Sequence, residues 1–137
     1  MALVCIGMLL VSCGSKRLDN PKAQFIRDFG LNIEKKDCVL EELFNNYEGV
    51  PYEGIALYKL TVGEDVRQAF LQWERFPLPE AAENFLESLS AYVELPLIAD
   101  GYWKMVDRNP GTSAYTNVSL CVYDGATGAA YLLTMDI

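Results

Sequence analysis

The sequence contains no histidine. That removes the commonest general base, the Ser-His-Asp and Cys-His nucleophile arrangements, and most zinc sites. The Gly-x-Ser-x-Gly turn, the phosphate-binding loop and the Gly-rich dinucleotide turn are missing too. Only four cysteines are present, and none forms a Cys-x-x-Cys redox pair. Basic residues are scarce: 11 Lys and Arg face 19 Asp and Glu, for a net charge of −8. No basic stripe lies beyond Lys36, which argues against nucleic acid as a partner. No apolar run reaches the roughly 20 residues that a transmembrane helix needs. There is no internal repeat or low-complexity segment. Asp124-Gly-Ala-Thr-Gly128 lacks the alternating acids of a calcium loop and reads as a turn. Neither a metal nor a cofactor is expected.

The most organised stretch is the first thirteen residues. Residues 1–12 are apolar and uncharged, the pattern of the h-region of a signal peptide. Leu10-Val11-Ser12-Cys13 resembles the lipobox of bacterial lipoproteins. The resemblance implies cleavage before Cys13 and attachment of lipid, palmitate included, to that cysteine. Gly14-Ser15 and Lys16-Arg17 then look like the polar start of a mature lipoprotein. Met1-Ala2-Leu3 lacks the positive charge of an n-region, so either the start lies upstream or the chain is not exported. The competing reading of residues 1–12 is a buried N-terminal element. The lipoprotein reading divides the chain into a signal peptide (1–12), a lipidated tether (13–24) and one domain (25–137), on the extracytoplasmic side of the cell membrane.

Charge is unevenly spread along that plan. Between Cys13 and Lys36 the bases Lys16, Arg17, Lys22, Arg27, Lys35 and Lys36 face only Asp19, Asp28 and Glu34. Beyond Lys36 there are five bases and sixteen acids. A basic tether beside a lipid would attract an anionic surface, whereas the acidic domain would be held off it. With Cys5 removed and Cys13 lipidated, Cys38 and Cys121 remain as an even pair. Outside the cytosol that pair is a candidate disulfide; the other reading is two buried thiols packed as small hydrophobes.

Local patterning predicts an α+β domain. Pro21–Gly30 reads as a short helix with Phe25, Ile26 and Phe29 on one side. Cys38–Tyr47 fits helical spacing better than strand alternation. Gly54–Val62 is a central strand, apolar on both faces. Gly63-Glu64-Asp65 opens a helix running to about Arg75, with Val66, Ala69, Phe70 and Trp73 inward. Pro77 and Pro79 end it, and Pro79 begins a second helix with Ala82, Phe85, Leu86 and Leu89 inward. Strands follow at Tyr102–Asp107, Asn117–Asp124 and Ala129–Met135, the last two joined by a Gly125–Gly128 hairpin turn. The expected architecture is an antiparallel sheet of about four to five strands, ending in a meander, with a pair of helices on one face.

Several pieces carry a further resemblance. Tyr52-Glu53-Gly54, Trp73, Pro77-Leu78-Pro79, Asp100-Gly101-Tyr102-Trp103 with Asp107-Arg108, and Val122-Tyr123-Asp124 with Tyr131 are similar to segments of small uncharacterised lipoproteins of Gram-positive bacteria. The similarity spans about residues 29–136. It implies a strand pair around the stretch ending at Tyr47, against the helical spacing there. It implies no activity.

Two functional readings follow. The aromatics Tyr52, Tyr102, Trp103, Tyr115, Tyr123 and Tyr131 could form a surface that binds a protein or an envelope glycan, through the sheet face left open by the helices; their other reading is a two-sided core. Such a non-catalytic module is the main reading. The alternative is a small envelope hydrolase in which two of the strand-end residues Asp100, Asp107, Asp124 and Asp136 converge in a cleft. Glu41-Glu42, Glu64-Asp65 and Glu80 with Glu83 read as surface acids or helix-start acids.

Overall fold

A computed structural model describes residues 21–34, 37–49, 53–111 and 116–137. Helix α1 (Pro21–Phe29) leads into strands β1 (Val39–Asn45) and β2 (Gly54–Thr61). Helix α2 (Glu64–Phe70), the two-residue β3 (Glu74–Arg75) and helix α3 (Glu80–Ser88) follow. Strands β4 (Gly101–Asp107), β5 (Asn117–Asp124) and β6 (Ala129–Asp136) complete the chain. The strands form one open antiparallel sheet of six, in the order β1-β2-β6-β5-β4-β3.

The predicted α+β class, the terminal meander and the inner position of β2 are all present. The sheet has six strands among the described residues where four to five were expected, the short β3 lying in the stretch that reads as the end of a helix, and the helical cover differs as well. Helices α1 and α2 pack on one face, and α3 packs on the other. The reason lies in β5 and β6. Val118, Leu120, Val122, Leu133 and Met135 point to the α3 side, while Cys121, Tyr123, Ala130 and Leu132 point to the α1–α2 side. A sheet apolar on both faces has to be covered on both.

Local chemistry sets the helix ends. Gly30, with a φ of 70°, closes α1 by donating its N–H to the carbonyl of Ile26 at 2.8 Å. Pro79 caps α3 with extended dihedrals, and Glu80 and Glu83 occupy its first turn. Along α3, Ala82, Phe85 and Leu89 are buried and Leu86 is half-buried, as the spacing predicts.

Two elements correct the sequence reading. Residues 38–47 hold a strand, as the lipoprotein resemblance implied and against the helical spacing. Pairing with β2 decides it, and a bulge between Glu42 and Phe44 shifts the faces so that both Leu40 and Phe44 pack inward on opposite sides. The helix expected to reach Arg75 stops at Phe70. Tight turns follow, with the N–H of Gln72 on Ala69 and that of Trp73 on Phe70. Trp73 still meets Phe70 edge-on at 4.8 Å, while Glu74 and Arg75 pair with Trp103 and Tyr102 along the β4 edge. Close approach governs one more position. A Cβ on Gly101 would stand 2.1 Å from the carbonyl oxygen of Tyr123, so only glycine lets β4 enter the sheet there.

Candidate functional site

Residues 1–20 lie outside the described residues, so the expected signal peptide, the Cys13 anchor and most of the tether do too. The last part of that tether, Pro21–Gln24, is helical, and Gln24 is buried. Among the described residues no helix is long and apolar enough to cross a membrane.

Cys38 and Cys121 are both buried and unbridged. Strands β2 and β6 stand between β1, which Cys38 precedes, and β5, which carries Cys121. That is about 14 Å of sheet at the usual strand spacing. A disulfide needs Cα atoms within about 7 Å, so the candidate bridge is replaced by two buried thiols. Burial pushes the Cys121 thiol well above its ordinary value.

Among the described residues, the aromatics expected to form one surface are divided between the two faces of the sheet. Tyr52 and Tyr115 lie outside the described residues. Tyr102 and Tyr123 belong to the α1–α2 side, where Tyr123 stacks on Phe70 at 4.8 Å with its ring buried. Trp103 and Tyr131 belong to the α3 side and are half-buried. These residues serve two opposite cores.

The strand-end aspartates are also divided. Asp100 and Asp124 sit at one end of the sheet, Asp107 and Asp136 at the other. Asp124 is buried and accepts the Ala126 N–H at 2.9 Å and the Thr127 hydroxyl at 3.0 Å, which holds the hairpin turn. Asp100 pairs with Arg75 at 3.3 Å, and Asp107 accepts the Asn109 N–H at 2.9 Å. Each carboxylate is committed to a turn or an ion pair.

Asp136 belongs to a polar cluster that no motif announced. Arg108, just past β4, reaches Asp28 of α1 at 3.2 Å and the Met135 carbonyl at 3.1 Å. It also contacts Ser119 and Asp136 closely and Thr134 at 3.3 Å. The Ser119 hydroxyl donates to Asp28 at 2.7 Å, and the Gln24 amide donates to Thr134 at 2.7 Å. Tyr47 donates its phenol proton to Asp136 at 2.8 Å. Burial, seconded by the Asp136 charge and hydrogen bond, raises the Tyr47 phenol far above its usual range against the opposing Thr134 hydrogen bond and Arg108 charge. Ser119 and Thr134 are fully buried, so no substrate reaches a hydroxyl here. The cluster ties α1 to the sheet end.

A concavity lies on the opposite face. A groove of about 650 Å³ runs between α3, the 93–99 segment and the Phe76-Pro77-Leu78 corner. Leu86, Val93, Leu95, Ile98, Phe76 and Val122 are among its apolar lining. Glu83, Glu87 and Glu94 stand on it exposed, and among the described residues neither Lys nor Arg lines it. Leu97 is 98% exposed at its edge. The volume is that of a ligand site. Sequence reading treated Glu83 as a helix-start acid and left Glu87, Glu94 and Leu97 unmarked. Their signal was the Pro-Leu-Pro and Leu-Pro-Leu-Ile runs flanking α3, apolar stretches outside any regular element.

Among the described residues, no group of three or more acids and cysteines is placed to hold a metal ion. No protein-family model, curated protein or solved structure matches the chain.

Proposed function

We propose that this chain is a lipoprotein anchored at the cell envelope through Cys13, and that its domain is a non-catalytic binding module whose ligand lies in the α3 groove. The apolar groove with its exposed acidic edge carries the binding half of the reading. It takes the place of the aromatic surface. The anchoring half rests on the apolar run before Leu10-Val-Ser-Cys13 and on the polar stretch after it.

Each half has its own test. Mass spectrometry of the membrane fraction should find a chain that begins at a lipid-bearing Cys13. An unmodified Met1 or a free Cys13 thiol overturns the anchor. The neutral dye N-phenyl-1-naphthylamine should brighten on binding the full chain. Ser90→Trp, at an exposed groove-lining position, should abolish that signal by filling the space. Dye binding that ignores Ser90→Trp overturns the groove as the site.

A further inference from the structure

The groove combines three observations that bear on its occupant. Its lining is apolar along α3 and along the 93–99 segment. Its charges are all of one sign: Glu83 and Glu87 lie one helical turn apart on α3, and Glu94 follows the turn after it. Leu97, beside Pro96, projects almost wholly into solvent at the edge. A small ligand resting within the groove would leave Leu97 wet. A chain lying across the edge would bury it, and removing that apolar surface from water favours such an occupant.

We infer that the groove receives a cationic amphipathic peptide segment of a partner protein, a deepening that rests on the groove being the binding site. The apolar face of such a segment covers the floor and Leu97. Its Lys or Arg residues meet Glu83, Glu87 and Glu94, which are exposed and have no basic neighbour among the described residues of the groove lining. Helix-in-groove recognition supplies this combination, with apolar anchors at helical spacing and charge at the flanks. The acidic edge speeds association with a cationic segment and rejects anionic ones. The same charge disfavours an anionic lipid surface as occupant.

The test uses the full chain and two 18-residue model helices, one of Leu and Lys and one of Leu and Glu, followed by calorimetry. The Leu-Lys peptide should bind at least tenfold more tightly than the Leu-Glu peptide and lose affinity as salt is raised. Glu83→Lys/Glu87→Lys/Glu94→Lys and, separately, Leu97→Asp should each weaken it at least tenfold. All four positions are exposed, so the variants should keep the wild-type unfolding transition. Equal binding of the two peptides, or indifference to the charge reversal, overturns the cationic partner; Ser90→Trp-sensitive dye binding would then leave the groove itself standing. Indifference to both variants means adsorption to an acidic surface and overturns the inference. Binding of phosphatidylglycerol vesicles that Leu97→Asp abolishes assigns the groove to lipid and overturns it as well.

Discussion

Arg108 shows how one side chain joins distant parts of this chain. It brings Asp28 of α1, Ser119 of β5 and Asp136 of β6 together at one sheet end. The Asp28 side chain is 4% exposed and faces Arg108 at 3.2 Å and the more exposed Arg27 at 3.5 Å. Breaking a buried pair from one side costs more than the pair is worth, because a charge is left without compensation. Arg108→Met should therefore destabilise the domain by about 3–5 kcal/mol, read from urea unfolding. A loss below 1 kcal/mol would contradict the cluster as a lock on α1.

Tyr47 and Cys121 set the alkaline limit at the same scale. Both groups hold their protons more tightly in the folded chain than their ordinary values of 10.0 and 9.0. The folded state then binds more protons than the unfolded one in that range. The contribution is complete below pH 9 and is lost as pH rises past 9 and then 10. The urea midpoint should fall between pH 9 and 11. The fall should be smaller in Tyr47→Phe/Cys121→Ala, whatever that variant's absolute stability. An equal slope in both proteins would refute the assignment.

Among the elements, β1 is one edge of the sheet. Its Val39 and Leu43 are exposed, which invites pairing with another strand. Two devices oppose that: the bulge between Glu42 and Phe44, and the adjacent charges of Glu41 and Glu42. Glu41→Thr/Glu42→Thr raises strand propensity and removes the charges together. It should promote concentration-dependent association in size-exclusion chromatography, with the monomer's thermal transition changed little. A variant that stays monomeric at high concentration would show that the bulge alone suffices.

The molecule as a whole has two apolar layers sharing one sheet. Ile33 is buried on the α1–α2 side and Ile55 on the α3 side. Ile33→Val and Ile55→Val should each cost about 0.5–1.5 kcal/mol. Side chains on opposite faces have no partner in common, so the double variant should equal the sum within about 0.5 kcal/mol. The unfolding should remain a single transition, since β5 and β6 serve both layers. A coupling energy well beyond that margin would mean the two cores move together.

The contrast between local and distant information runs through these elements. Asn117–Asp124, the Gly125–Gly128 turn and Ala129–Met135 were legible because alternation, β-branched residues and paired glycines agree over short spans. The α3 stripe was legible for the same reason at the helical period. Cys38–Tyr47 was not: its apolar residues fit two periods, and only pairing with β2 across a bulge selects one. Nor was the second helical layer counted, although Val118–Tyr123 is apolar on both faces and so requires it. By itself the sequence determined the histidine-free chemistry, the charge asymmetry, the α+β class and the identity of most strands and helices. Tertiary structure decided that Cys38 and Cys121 stand apart, that Tyr102 and Tyr123 serve one core and Trp103 and Tyr131 the other, and that Arg108 meets Asp28. It also decided that an acidic-edged groove opens beside α3. Those outcomes depend on which residues distant in sequence share a sheet end or face, and strand order, not local periodicity, sets that.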